Sequence, residues 1–340
     1  MFQTEPILYL QSLGTEWFTF LMVLITSMGS AAFFASIIII TTFGVDFKKG
    51  FLLFQLLLWT GAVTEVLKVI FVLPRPDFVD SRVLNLEKGF PNTSPFSGEG
   101  ADRFFGLPGR EALDAFRFQG TIPHSMFGFP SGHVSTAIAL WGGTARVFET
   151  RVIKNLAPAA ILLIAFSRMY LGRHFLGDVL GGATLGLIIL IVFTRLLKSP
   201  LKDELFKKES FELVFRQKNL LFYSFMFVVP LLLTASSLIS ADVAGFLLGT
   251  NTAYIMVIRK GLPEDDGDTG QRAARVFIAL IMFGVSSLAL AVGFDVIGVA
   301  GYFGFTVLEF LKTFIPASTI WISVYICAKL GLYGRDIEKI

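Results

Sequence analysis

Charge is scarce in this chain. Only 16% of its 340 residues are Asp, Glu, Lys or Arg, against about 25% in ordinary soluble domains. The 29 basic and 26 acidic side chains leave a formal net charge of +3, too small and scattered for the basic face of a nucleic-acid binder. Cysteine is almost missing: Cys327 stands alone in an apolar run, which excludes a disulfide framework and a cysteine-based zinc site. Histidine is also rare, with three in all, and no Lys or Arg precedes Lys48. The first apolar run therefore lacks the positive n-region of a signal peptide and reads as a retained span. Apolar residues take the place of charge, with 54% hydrophobic residues, 37 Phe and a mean hydropathy of +0.69. They gather in runs of roughly 20, long enough to cross a hydrocarbon core of about 30 Å. A cytosolic enzyme and a disordered scaffold are both excluded.

The apolar runs lie near residues 17–43, 51–73, 131–147, 153–171, 174–197, 220–239, 244–258, 276–294 and 313–330, about nine in number. The expected fold is an all-α polytopic transmembrane helix bundle. Residues 77–129 are rich in Pro, Gly, Ser, Asn and charge and form a long extramembrane loop of the kind that carries function. Residues 198–219 read as a charged cytoplasmic linker, and 220–340 as C-terminal transmembrane helices. Basic residues crowd one side of every inter-span loop, from Lys48 and Lys49 through Arg195–Lys218 to Arg259, Arg272 and Arg335. By the positive-inside rule that side is cytoplasmic, and the N-terminus and the long loop lie outside. The preface 1–16 has apolar residues at helical spacing and reads either as an interfacial helix or as a frayed tail.

Three segments put polar residues where spanning helices should have none, which makes them functional candidates. At the end of the second run stand Lys68 and Arg75-Pro76, seven apart and so about two turns along one helix face, where both cations can converge on an anion. The alternative is snorkelling of each side chain to the interface. The third run opens with Pro130-Ser131-Gly132-His133. A Ser-Gly pair at a helix N-terminus offers backbone N–H groups to an anion, with His133 near enough to donate a proton; the alternative is a plain N-cap serine. Between the fourth and fifth runs come Ser167-Arg168 and His174-x3-Asp178. His174 and Asp178 are one helical turn apart, so the carboxylate can accept the Nδ1 proton and leave Nε2 as a nucleophile. A structural His-Asp pair remains the alternative. The topology brings all three segments to one membrane face.

Together, Lys68-x6-Arg75-Pro76, Pro130-Ser131-Gly132-His133 and Ser167-Arg168-x5-His174-x3-Asp178 resemble the three-part signature of the type 2 phosphatidic acid phosphatase (PAP2) superfamily, in its membrane-integrated lipid phosphatase branch. The resemblance covers roughly residues 17–197. It implies a catalytic core within 1–197, of five to six helices with the sixth run completing it, and about three additional C-terminal helices. It also implies catalysis by His174 as nucleophile, Asp178 as its orienting partner and His133 as acid and base. Lys68, Arg75, Ser131, Gly132 and Arg168 would bind the phosphoryl oxygens, with no metal and no cofactor. The substrate would be a lipid phosphate or diphosphate: an isoprenyl diphosphate, phosphatidic acid or phosphatidylglycerol phosphate. The enzyme would then be a metal-independent phosphatase of a bacterial inner membrane, with its site on the extracytoplasmic side. A lipid phosphotransferase, or a transport or scaffold protein with such a domain, stays open, as does the oligomeric state.

Glu65, one turn before Lys68, reads as a counter-ion and His124 as a loop histidine. Glu264, Asp265, Asp266 and Asp268 depart from a calcium-loop pattern and read as solvated. Gly177, Gly181, Gly182 and Gly186 read as close helix packing. Glu309 and Lys312 read as an interfacial ion pair.

Overall fold

The computed structural model describes residues 1–89, 91–119, 126–297 and 305–333; His124 and Arg335 lie outside them. Regular structure among these residues is helical, with no strand. Seven helices are long and apolar enough to span a membrane, and a bent pair makes an eighth. The run at 131–147 accounts for the difference from nine, because it is helical in consecutive pieces of 6, 5 and 6 residues, the middle one a π turn at Ile138–Gly142. Contacts divide the chain into two compact units, Met1–Phe34 with Trp59–Thr194, and Ala35–Leu58 with Arg195–Ile340.

The first unit begins with α1 (Glu5–Ser12) and α2 (Glu16–Ser27), which Thr15 caps by accepting the Phe18 N–H. The first apolar run is not one straight helix: α2 meets α3 (Ala31–Gly44) at 48°. The preface is helical over Glu5–Ser12 rather than frayed. Phe2 and Ile7 are buried, the Met1 carbonyl accepts the Gly177 N–H at 3.0 Å, and Gln11 Nε2 donates to the carbonyls of Leu84 and Tyr170. Each such buried side chain contributes roughly 1.5–3 kcal/mol, so the strap is held chiefly by burial.

Next, α4 (Phe47–Phe71) ends before Pro74-Arg75-Pro76, where two prolines deny the helix its N–H donors. Val72 takes a positive φ of 46° at the break, and α5 (Pro76–Val79) starts afresh. The long loop has its own small core. Its helix α6 (Arg110–Arg117) buries Ala112, Leu113 and Phe116, and the first two pack in a cluster with Phe2, Val79, Val83 and Phe175. The buried Asp80 carboxylate accepts from Thr4 and Arg82. Burial opposes ionisation of Asp80, but the Arg82 and Thr4 hydrogen bonds outweigh it and hold the carboxyl below its usual range. The unit is completed by α7 (Gly132–Ala137), α8 (Gly143–Phe148), α9 (Arg151–Tyr170) and α10 (Leu176–Leu197).

In the second unit, α11 (Leu201–Glu204) leads through a 3-10 turn to α12 (Gln217–Tyr223) and α13 (Val229–Ala235), with a π turn between the last two. Residues 198–219 are more than a charged linker: Phe211 is fully buried, its carbonyl accepts the Tyr223 hydroxyl, and Phe51 stacks on Tyr254 at 3.5 Å beside Phe206. Three long helices follow, α14 (Ala241–Lys260), α15 (Thr269–Ile297) and α16 (Phe305–Lys329). Asn251 of α14 donates to the Met226 carbonyl at 2.8 Å and accepts from Gln55 at 2.6 Å. A carbonyl of the π turn is thereby satisfied where no water reaches it.

The acidic run is not wholly solvated. Asp268 and Gln271 exchange side-chain to backbone bonds of 2.8 and 2.9 Å, a reciprocal cap on α15. Asp265 accepts the Phe47 N–H, and burial raises its carboxyl to about 6. Glu309 and Lys312 do pair, at 3.1 Å.

Candidate active site

Backbone contacts knit the three polar segments together inside the first unit. Gly128 N–H donates to the Leu73 carbonyl at 2.7 Å, and Ser131 N–H donates to the Asp178 carbonyl at 2.9 Å. Lys68, in the last turn of α4 and nearly buried, donates through Nζ to the Phe127 carbonyl at 3.2 Å. On a neighbouring stretch, the Thr64 and Ser135 hydroxyls bond at 2.9 Å and tie α4 to α7. Gly128 is required by the close approach: a Cβ there would stand 2.5 Å from the Pro74 carbonyl oxygen and 3.1 Å from Asp178 Oδ2.

His174 Nδ1 lies 3.3 Å from Asp178 Oδ2, which also accepts the Phe175 N–H at 2.9 Å. The two side chains are 1% and 0% exposed. They do not meet on one helix face, as the spacing suggested. His174 precedes α10, and Asp178 in its first turn reaches back to it. Lys68 and Arg75 likewise do not share a helix face, because α4 stops at Phe71 and Arg75 caps α5. The turn at Val72–Pro74, rather than helical periodicity, brings them to one region. The helix opening at α7 also differs from expectation. Ser131 occupies the N-cap without a side-chain cap bond, and its N–H is already used by Asp178. Gly132 begins the helix and its carbonyl takes the Thr136 hydroxyl.

Arg75, His133 and Arg168 line a cavity of about 660 Å³ together with loop residues that include Glu87, Asn92 and Arg173. Lys68, Ser131, His174 and Asp178 are buried and are not among its lining. Several buried atoms here have no hydrogen-bond partner among the described residues: Arg75 Nε, Ser131 Oγ, Arg168 Nε and Asp178 Oδ1. Buried polar groups are normally satisfied, so this concentration marks a place built to receive a polar ligand.

Sequence reasoning missed four polar residues of the site. Glu87 contacts both Arg168, at 3.1 Å, and Arg173, at 3.2 Å, while Asp77 holds Arg173 at 2.7 Å. Thr26 accepts from Arg168 at 2.7 Å. Burial works against the Glu87 charge, but Arg168, Arg173 and Arg75 prevail and keep the carboxyl below its usual value. Asp77 and Arg173 adjoin signature residues and were in that sense findable. Glu87 and Thr26 carry no local signal.

An all-helical fold with these spans defines an integral membrane protein, and its polar centre is lined by arginines with His133 beside them. Residues 49–200 of the chain match the PAP2 superfamily. It is 32% identical over 101 residues to phosphatidylglycerophosphatase B of Bacillus subtilis (strain 168), covering 26% of this chain and 50% of that protein. It is 35% identical over 63 residues to lipid A 4'-phosphatase of Porphyromonas gingivalis, covering 18% of this chain and 27% of that protein. The chain thus spans half or less of the length of these relatives. No solved structure matches it.

Proposed function

We propose that the protein is a lipid phosphatase that removes the terminal phosphate of a lipid phosphate monoester or diphosphate through a phosphohistidine. One observation carries the reading: the buried His174–Asp178 pair at 3.3 Å is tied through the Asp178 carbonyl to Ser131, two residues before His133 of the cavity that Arg75 and Arg168 also line. His174 Nε2 attacks phosphorus as the bond to the lipid oxygen breaks, and His133 protonates that leaving oxygen. Water then attacks phosphorus, the P–N bond breaks, and His133 takes the water proton as inorganic phosphate departs. Asp178 holds the Nδ1 proton and stabilises the imidazolium. Lys68, Arg75 and Arg168, with Ser131 and the Gly132 amide, neutralise charge developing on the phosphoryl oxygens. No step requires a metal.

The reading is tested by phosphate release from purified protein in chelator over isoprenyl diphosphate, phosphatidic acid, phosphatidylglycerol phosphate and sphingoid phosphate. Release without an acceptor lipid is the expected result. Label moving only to an added acceptor lipid would make the protein a phosphotransferase, and inertness toward every lipid would end the proposal.

The site is further proposed to face the extracytoplasmic side of a bacterial inner membrane, on the basic-residue asymmetry of the loops. Ser97 is exposed and Cys327 is buried, so Ser97→Cys offers a clean probe. An impermeant thiol reagent should label it from outside in intact cells, and labelling only after lysis would reverse the orientation.

A further inference from the structure

Arg168 is 1% exposed, and a guanidinium carries five N–H donors on a planar fork. The end of the fork is occupied. Nη1 donates to Thr26 Oγ1 at 2.7 Å and to Glu87 Oε1 at 3.1 Å, and Nη2 donates to Glu87 Oε2 at 3.3 Å. The side edge, made by Nε–H and the second Nη2 hydrogen, remains. Nε is buried and has no hydrogen-bond partner among the described residues, although Arg168 lines the cavity. An unpaired donor on a buried cation is tolerated where a ligand completes it.

We propose that Glu87 and Thr26 are positioning residues that grip the end of the Arg168 guanidinium and so present its side edge to the phosphoryl oxygens of the substrate. This rests on the reading of the cavity as a lipid phosphate site. The carboxylate matches the fork with two parallel bonds, which fixes the plane of the guanidinium as well as its place. The Thr26 hydroxyl, 3% exposed, removes the remaining rotation about that pair. Glu87 also touches Arg173, itself held by Asp77, so one carboxylate sets two cations of the cavity wall. Thr26 lies ahead of the family-matched residues 49–200, at the end of α2 just before the bend into α3. Gly29 in that bend lies against His133: a Cβ there would stand 3.0 Å from its Cδ2. The broken first helix therefore meets two site residues from outside the family segment.

The opposite possibility is that Glu87 merely holds the place of the phosphate and competes with it. The two ideas differ in sign. If Glu87 positions Arg168, Glu87→Gln lowers kcat/KM about 10²-fold, in the range expected for a misplaced catalytic donor, and weakens inhibition by inorganic phosphate. A competitor would give tighter phosphate. Thr26→Val should lose about tenfold in kcat/KM and Thr26→Ser should recover to within about twofold, one hydrogen bond to a charged group being at stake.

The deciding measurement is a double-mutant cycle on the full-length protein in detergent, with thermal unfolding followed in parallel. In an Arg168→Ala background, each substitution should cost less than about twofold more, because a residue acting through Arg168 has nothing left to act on. Additive losses, unchanged kinetics or tighter phosphate would each overturn the proposal. If Glu87→Gln does not fold, the Thr26→Val and Thr26→Ser pair decides alone. Calorimetric binding of inorganic phosphate separates the levels of failure. Wild type that neither turns over lipid phosphates nor binds phosphate would remove the functional reading and this proposal with it, whereas active wild type with additive variants would remove only the positioning role.

Discussion

Replacing His174 by Ala is expected to abolish phosphate release in chelator-treated membranes, to the level of empty membranes. The loss should be complete because, in the proposed mechanism, His174 Nε2 supplies the electron pair that forms the P–N bond. His133 is assigned proton transfer and cannot be both acid and nucleophile in one turnover. Removing the ring also leaves Asp178, 0% exposed, with Phe175 N–H as its remaining hydrogen bond from that turn. A buried carboxylate that loses its partner destabilises the fold by roughly 3–5 kcal/mol. His174→Asn is therefore run beside it, since the amide can still donate toward Asp178 while lacking a nucleophilic nitrogen. Both variants should be inactive, with the Asn form folding normally by thermal unfolding. Wild-type phosphate release in either one would sink the phosphohistidine mechanism.

The second large effect is expected at a residue with no chemistry. Gly182 of α10 lies against the carbonyl oxygen of Ser131, and a Cβ there would collide with that oxygen while standing 3.2 Å from both Ser131 C and Ser131 Cβ. Backbone cannot rotate away as a long side chain can. Ser131 must move, and because its N–H is bonded to the Asp178 carbonyl, the strain passes directly to the His174 partner. Gly182→Ala should cost about 1–3 kcal/mol in stability from overpacking and about 10²-fold in kcat/KM from displacement of reacting groups. Gly61→Ala is the matched control. A Cβ there meets nothing within 4 Å, so activity should hold and stability should rise by up to about 1 kcal/mol on helix propensity alone. Equal behaviour of the two variants would show that the contact at Ser131 is not a constraint.

The glycines of α10 illustrate what was legible and what was not. Their spacing marked a close-packed face, and each indeed meets protein: Gly177 the Phe2 ring, Gly181 the Phe129 ring, Gly182 the Ser131 carbonyl and Gly186 the Ser135 carbonyl. Spacing gave no hint of which partners these were. Three lie on the loop and helix that carry His133, and one lies at the extreme N-terminus.

The same limit applies to the cations. Lys68 and Arg75 were readable as a pair because charge is rare among apolar residues, yet the helical argument for their convergence was wrong. Pro74 and Pro76 end α4 and turn the chain, a local effect that seven-residue periodicity ignores. Glu87 and Thr26 could not be found at all. One is an ordinary acid in a polar loop and the other an ordinary hydroxyl in a span. Their importance arises from Arg168, which lies 81 and 142 residues away in the chain.

What the sequence determined by itself was the solvent and the candidates for chemistry. Long apolar runs demand a bilayer because no other medium hides so much hydrocarbon, and cations and histidines at the ends of such runs are too costly to be incidental. Tertiary structure alone decided how the site is held: the break after Phe71, the bend between α2 and α3, the strap at Phe2 and the grip of Glu87 and Thr26 on Arg168. The division has a physical basis. Burial preference and ionisation belong to each residue and are written locally, whereas the direction of a hydrogen bond depends on where two distant backbones come to rest.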